Sequence, residues 1–294
     1  MKNLISIKDF NKQSLEDFFN GVETYQLNLT RKELNIYDKK LLANLFYEPS
    51  TRTSSSFFAA AKKLGHDVLP INNVQYSSVT KGESLEDTII TLGCYVDLII
   101  LRHPEVGACK RAVKVSSVPV INAGDGIGEH PTQTLIDLYT IWKRFKTIDG
   151  LTITFMGDLK NGRTIHSLLE ALKLYDVKIN LISPNNLRRP LSIRLESSTV
   201  EYSSLVETVA RDTDVLYVTR LQRERDNIGD YSYILNQKDF SNLKHDMIVM
   251  HPFPREKEIP VTFDSDPRAY YFNQIKNGLY VRMAILNEML NDIY

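Results

Sequence analysis

The sequence has 294 residues, 43% of them hydrophobic, with 36 Lys+Arg balanced by 36 Asp+Glu for a formal net charge of zero. This composition excludes a disordered or fibrous chain and the broad basic field of a general nucleic-acid binder, so an anionic ligand has to be met by a local cluster of cations. Cys94 and Cys109 are the only cysteines and form no Cys-x-x-Cys pair, which excludes a cysteine-based zinc site and a disulfide scaffold and suits a reducing compartment.

In chain order, Lys40–Tyr47 reads as a short apolar strand, followed by a polar turn and a helix over Ser54–Gly65. Asp67–Ile71 is the next strand, and Glu83–Gly93 carries Leu85, Ile89 and Leu92 at helical spacing. A strand at Val96–Leu101, a helix near Val106–Val115 and a strand at Val118–Ile121 follow. His130–Phe145 is predicted as a bridging helix, with Leu135, Leu138, Tyr139, Trp142 and Phe145 as its apolar stripe. Pro131 suits its first position, where no backbone N–H is needed. The second half repeats the rhythm with strands at Leu151–Met156, Val177–Ser183, Val215–Thr219 and Met247–His251, and helices at Arg163–Tyr175 and Leu205–Arg211. A last helix, Asn273–Tyr294, can pack on either half. Continuous rather than alternating apolar runs indicate strands covered on both faces. The expected fold is therefore α/β, with two open, mostly parallel three-layer α/β/α domains joined by the bridging helix. The expected domains are 1–146, with the C-terminal helix at about 273–294 packing back on it, and 147–272. In such sheets ligands gather beyond the carboxyl ends of the strands, and the unusual residues of this chain lie there.

The strongest local signal is Glu48-Pro49-Ser50-Thr51-Arg52-Thr53-Ser54 between a strand and a helix. A loop of small hydroxyl residues opening a helix turns backbone N–H groups and the positive end of the dipole toward an anion, and Arg52 adds a planar fork. Taken alone, the segment reads equally as a Ser/Thr helix cap beside a surface arginine. Arg102-His103-Pro104 follows a strand, and the glycine-rich stretch Asn122–Gly128 leads through Glu129 to His130-Pro131-Thr132-Gln133. The helix dipole opposes protonation of His130, which suits a neutral imidazole donating one hydrogen bond, although a plain cap remains the alternative. The second half supplies Gly157-Asp158-Leu159-Lys160, Gly162-Arg163-Thr164, Thr219-Arg220-Leu221-Gln222 and His251-Pro252-Phe253-Pro254-Arg255, all after predicted strands. Arginine forks match a small dicarboxylate. Neither a P-loop nor a dinucleotide fingerprint is present, so a nucleotide cofactor is not expected.

Together these segments resemble the catalytic chains of the aspartate carbamoyltransferase family, and the matches run in family order from about residue 40 to the C-terminal helix. Ser50–Thr53 alone would also admit ornithine carbamoyltransferases. The helix start His130-Pro131-Thr132-Gln133-Thr134, the loop Gly157–Thr164 and the ending His251-Pro252 with Pro254-Arg255 narrow the likeness to the aspartate enzymes. The resemblance implies a transferase of pyrimidine biosynthesis that joins carbamoyl phosphate and L-aspartate into N-carbamoyl-L-aspartate and phosphate. It implies that Ser50, Thr51, Arg52 and Thr53 bind the phosphate and that Arg102 bridges phosphate and carbonyl. His130 and Thr53 donate to the carbonyl oxygen, and Gln133 with the backbone carbonyls of Pro252 and Phe253 holds the carbamoyl amide. Arg163, Arg220 and Gln222 grip the aspartate carboxylates. Ser77 and Lys81 correspond to a loop that enters the neighbouring subunit's site, which implies a homotrimer with shared sites. Lys81 thus stands with His130, Arg102 and Thr53 in the catalytic set. Glu48 is expected to pair with Arg163 or Arg225. Ser54, Thr80 and Phe253 depart from the commonest family pattern, and none of the three carries a central role through its side chain.

The resemblance further implies that the amine attacks the carbonyl carbon directly through a tetrahedral oxyanion, so no protein nucleophile, metal or cofactor is expected. Catalysis rests on positioning and on stabilising the developing charge. Two alternatives remain at this stage: a carbamoyltransferase for another amino acid such as ornithine, and a non-catalytic paralogue. A separate zinc-bearing regulatory chain joining trimers stays open, and this chain has no cysteine cluster with which to be one. The opening Met1–Phe10 has no signal-peptide core and no apolar run reaches bilayer length, so a cytoplasmic location without a membrane partner is expected.

Overall fold

The computed structural model describes residues 2–31, 38–71, 82–190, 199–202, 207–220, 235 and 237–291. Its contacts divide the chain into two units, Met1–Ile136 with Lys276–Tyr294, and Asp137–Ile275. The division falls inside the bridging helix, between Ile136 and Asp137.

In the first unit four strands form one sheet: β1 (Leu41–Phe46), β2 (Asp67–Ile71), β3 (Leu98–His103) and β4 (Val120–Asp125). They run in the order β2-β1-β3-β4, every pair parallel. Residues of opposite parity on β1 meet different helices, as the pleat requires. Ala43 and Leu45 join a buried cluster with Leu85, Ile89 and Leu92 of α3 (Leu85–Gly93) and Ala108, Cys109 and Ala112 of α4 (Ala108–Val115). Asn44, on the other face, donates from Nδ2 to the Ser54 carbonyl on α2 (Thr51–Lys63) at 3.1 Å. Helices thus cover both faces, and β1, β3 and β4 are buried almost throughout. The edge strand β2 is half exposed and tolerates Pro70.

Among its described residues the second unit has five parallel strands: β5 (Thr152–Met156), β6 (Lys178–Ile182), β7 (Thr199–Tyr202), β8 (Val215–Val218) and β9 (Ile248–Met250), in the order β7-β6-β5-β8-β9. Leu216 and Val218 pack with Val209 and Ala210 of α7 (Glu207–Asp212). Tyr217, of the opposite parity, donates to Asp137 of α5 (Pro131–Phe145). Helices again occupy both faces. Two further helices are α6 (Arg163–Leu172) and α8 (Gln237–Asn242). Helix α5 begins in the first unit and continues in the second, whereas α9 (Tyr271–Asn291) begins in the second and continues in the first.

The structure adds α1 (Lys12–Arg31), whose Leu15, Phe18, Phe19 and Val22 are buried at helical spacing. It also extends β4 through Asn122–Asp125, where the apolar run has already ended, and starts α2 at Thr51 rather than Ser54. Thr51–Thr53 are therefore the first turn of a helix and not a loop before it.

Candidate active site

Both sheets reverse their winding between two central strands, β1 and β3 in the first unit and β5 and β8 in the second. Connections leave such a point in opposite directions, so a crevice opens beyond the carboxyl ends of the two strands. The sequence places its cations there.

In the first unit, β1 ends two residues before Glu48, and α2 begins after Ser50. Ser50 occupies the cap position at φ −152°, yet among the described residues its hydroxyl makes no capping bond to the helix. It accepts instead from Arg102 Nη1 at 3.4 Å. The plain-cap reading of this serine therefore fails. The first turn of α2 contains no acidic residue, and its leading N–H groups have no carbonyl one turn earlier to receive them, so the helix end is electropositive. Thr53 is buried there, while Thr51 and Arg52 are exposed. Arg102 is the register partner of Phe46 at the end of β3. Its Nε donates to Glu48 Oε2 at 3.2 Å, so Glu48 and Ser50 together hold the guanidinium beside the start of α2.

The loop after β4 is tied down on several sides. Gly126 donates its N–H to the His103 carbonyl at 2.8 Å, with φ +54°, and a Cβ there would lie 2.3 Å from the Pro104 carbonyl oxygen. Only glycine fits that approach. Asp125 accepts from the Gly107 and Glu129 N–H groups at 3.0 and 2.8 Å. Glu129 in turn accepts from the Ser6 hydroxyl at 2.8 Å and the Ile7 N–H at 3.1 Å. This clamp delivers His130 to the start of α5, buried, with its carbonyl accepting the Thr134 N–H at 3.1 Å. Its Nδ1 lies 3.2 Å from the Thr132 hydroxyl, within hydrogen-bond reach; the tautomer with its proton on Nε2 is the one that lets Thr132 donate to Nδ1. Gln133, partly buried, follows in the same first turn.

In the second unit Gly157, directly after β5, has φ +125°, and a Cβ there would stand 2.2 Å from the carbonyl oxygen of Thr219, directly after β8. The two chains approach too closely for any side chain at the switch point. Asp158, fully buried, accepts from the Asn161 N–H at 2.9 Å and the Lys160 N–H at 3.1 Å, closing a turn that sets Arg163 at the first position of α6. Arg220 follows β8 and its Nη1 lies 3.5 Å from Glu256 Oε1.

After β9 the backbone turns sharply at Phe253, a non-glycine residue at φ +55°. His251 Nδ1 accepts the Phe253 N–H at 2.8 Å, and Nε2 lies 2.7 Å from Glu258 Oε1. Burial pushes the Glu258 carboxyl up, but the bonds from His251 and the backbone outweigh it and hold the group below its ordinary value. The His251 N–H donates to Gln274 at 2.9 Å, Gln274 donates to Asp137 at 2.7 Å, and the Tyr217 hydroxyl donates to the same carboxylate at 2.8 Å. Burial and the neighbouring Asp137 raise the Tyr217 phenol well above its usual value, so it remains a donor. Arg255 pairs with Asp264 and is structural.

Ser50, Thr51, Arg52, Thr53 and Arg102 thus share one end of the first sheet, with His130 and Gln133 beyond its neighbouring strand. Arg163, Arg220, Pro252 and Phe253 lie just past the ends of adjacent strands of the second. Ser77, Lys81, Gln222 and Arg225 lie outside the described residues. Sequence reasoning overlooked Ser6, Glu129, Asp137, Tyr217, Glu258 and Gln274; a fully buried aspartate inside the apolar stripe of α5 was the one readable trace. Among the described residues no cluster of three His, Cys, Asp or Glu is arranged to hold a metal ion, and no helix is long and apolar enough to cross a membrane.

Residues 2–143 match the family model for the carbamoyl-phosphate-binding domain of aspartate/ornithine carbamoyltransferases, and residues 149–289 match the model for the Asp/Orn-binding domain. The chain belongs to this family. Among its relatives, it is 47% identical to an aspartate carbamoyltransferase catalytic subunit of Archaeoglobus fulgidus, covering 99% of each chain. It is also 47% identical to the multifunctional protein pyr1-3 of Dictyostelium discoideum, of which it spans only 13%. The solved catalytic subunit of M. jannaschii aspartate transcarbamoylase superposes with a TM-score of 0.92 at 43% identity, covering 100% of this chain and 99% of that one. An aspartate transcarbamoylase of Trypanosoma cruzi, solved with carbamoyl aspartate and phosphate, gives 0.90 at 39% identity over 97% and 94%.

Proposed function

We propose that this carbamoyltransferase is an aspartate carbamoyltransferase, joining carbamoyl phosphate and L-aspartate into N-carbamoyl-L-aspartate and phosphate at an early step of pyrimidine biosynthesis. The observation that carries the reading is the arginines at the switch point of each sheet: Arg102 bound to Ser50 in one, and Arg163 and Arg220 after the adjacent strands β5 and β8 in the other. A phosphate suits the first set, where a helix end, hydroxyls and guanidinium forks converge. A dicarboxylate suits the second, whereas the cationic side chain of ornithine would want a carboxylate in their place.

In this mechanism Ser50, Thr51, Arg52 and Thr53 hold the phosphate, and Arg102 spans phosphate and carbonyl oxygen. His130 and Thr53 donate to that oxygen as it gains charge during amine attack, each donor typically worth on the order of 10²–10³ in rate. Gln133 and the carbonyls of Pro252 and Phe253 receive the carbamoyl N–H groups, while Arg163, Arg220 and Gln222 bind the aspartate. The leaving phosphate accepts the amine proton, so no strong protein base is needed. Ser77 and Lys81 complete the site from a neighbouring copy in a homotrimer, in the cytoplasm. Unlike the scaffold a non-catalytic paralogue would be, the chain keeps Arg52, Lys81, Arg102, His130, Gln133, Arg163 and Arg220 together.

The test is product analysis on the purified chain with carbamoyl phosphate and either aspartate or ornithine, paired with its mass in solution. Carbamoyl-aspartate from a trimer or larger assembly is expected. Citrulline alone would reassign the substrate, and no product from either would mark a non-catalytic paralogue.

A further inference from the structure

Outside the predicted set, the described residues include a connected buried polar assembly around His251. His251 is 1% and Glu258 7% exposed, too deep to meet a ligand directly. Their hydrogen bonds nevertheless end on the backbone that carries the Pro252 and Phe253 carbonyls. An imidazole whose Nδ1 accepts a backbone N–H has no proton there, so Nε2 carries it and donates to Glu258. Glu258 also accepts the Glu256 N–H at 3.1 Å. Phe253 stays at φ +55°, a region that costs a bulky residue of order 1 kcal/mol or more unless its surroundings enforce it. The enforcement is visible. The His251 bond fixes the Phe253 N–H, and its ring packs 5.2 Å from the imidazole, 5.7 Å from Tyr271 and 6.0 Å from Phe272. On the far side, the Gln274–Asp137–Tyr217 chain anchors the His251 backbone to α5 and β8.

We infer that His251 is a positioning residue: accepting the Phe253 N–H at Nδ1, with Glu258 fixing its tautomer, it aims the Pro252 and Phe253 carbonyls at the carbamoyl N–H groups and so selects carbamoyl phosphate over acyl phosphates lacking them. This rests on the function proposed above. Acetyl phosphate is the probe, because it replaces the amide with a methyl group and keeps the phosphate and carbonyl. The readout is the ratio of the acetyl phosphate inhibition constant to the carbamoyl phosphate KM. His251→Asn keeps an acceptor where Nδ1 stood, whereas His251→Gln reaches toward Glu258 and leaves the Phe253 N–H without that acceptor. The ratio is expected to stay within about threefold of wild type in His251→Asn and to fall about tenfold in His251→Gln, roughly the worth of one or two misdirected hydrogen bonds. A purely packing role would weaken both ligands in parallel, and an unchanged ratio in His251→Gln overturns the inference. Should that variant not fold, ¹⁵N spectra of the wild-type imidazole decide: a neutral ring protonated on Nε2 is expected, and an imidazolium or a proton on Nδ1 overturns the assignment. A wild-type chain that forms no carbamoyl-aspartate would instead remove the underlying function and leave the tautomer measurement standing.

Discussion

Replacing Arg102 by alanine probes the first switch point most sharply. The guanidinium has protein partners, Glu48 at 3.2 Å and Ser50 at 3.4 Å, so a phosphate has to compete for it. The two charged side chains are 15% and 24% exposed. Solvent therefore reaches the pair, and its net worth is about 1 kcal/mol, at the upper end for accessible ion pairs. A charge-assisted bond contributes roughly 1.5–2 kcal/mol where solvent reaches it, the lower part of its usual range, so a fork directing two of them at phosphate gains about 3–4 kcal/mol. Subtracting the surrendered Glu48 contact leaves about 2–3 kcal/mol, a factor of roughly 30–150 in affinity. Titration calorimetry with inorganic phosphate is therefore expected to find Arg102→Ala weakened by about that factor. Part of the loss comes from leaving Glu48 facing the anion, so adding Glu48→Gln to the Arg102→Ala chain should recover about three- to fivefold. Phosphate affinity within threefold of wild type in Arg102→Ala would refute the placement of the phosphate at this strand end.

Three further outcomes are expected. Ser50→Ala should change the urea midpoint little, because its hydroxyl does not cap α2, while phosphate affinity falls about threefold; an ordinary cap would instead cost about 1 kcal/mol of stability. His130→Ala should bind carbamoyl phosphate nearly as wild type but lose roughly two orders of magnitude in turnover, and steady-state kinetics with unchanged turnover would retire its role as an oxyanion donor. Burial pushes His66, His103 and His166 below the ordinary histidine value. The unfolded chain then binds more protons below about pH 6.5, so stability present above that value is lost as pH falls through the depressed folded values. Urea midpoints are expected to be lower at pH 5 than at pH 8, and the opposite order would contradict the depressed values of these imidazoles.

The central strands were readable because burial on both faces leaves continuous apolar runs such as Leu98–Leu101 and Val215–Val218. β4 was read short because Asn122 and Asp125 look like loop residues. They stay in the strand since their side chains serve the backbone, Asn122 accepting the Gly124 N–H at 2.8 Å and Asp125 receiving Gly107 and Glu129. The edge strand β7, four residues with its middle pair exposed, had no apolar signature to read. Arg52, Arg102, His130, Arg163 and Arg220 were legible as unusual residues at strand ends or at the helix starts that follow them. Their supports were not: Asp137, Gln274 and Glu258 meet only once distant segments fold, since the Asp137–Gln274 bond alone joins residues 137 positions apart. The one expectation about Glu48 that needed such geometry, a partner in Arg163 or Arg225, stands beside an observed pairing with Arg102.

The central claim is that cations from both sheets serve one pair of substrates. Titrating N-(phosphonacetyl)-L-aspartate, which joins a phosphonate to an aspartate, into the wild type and into Arg52→Ala and Arg220→Ala tests it directly. One molecule per chain is expected, with affinity at least about 100-fold weaker in each variant. Tight binding that survives the loss of either arginine would contradict the claim.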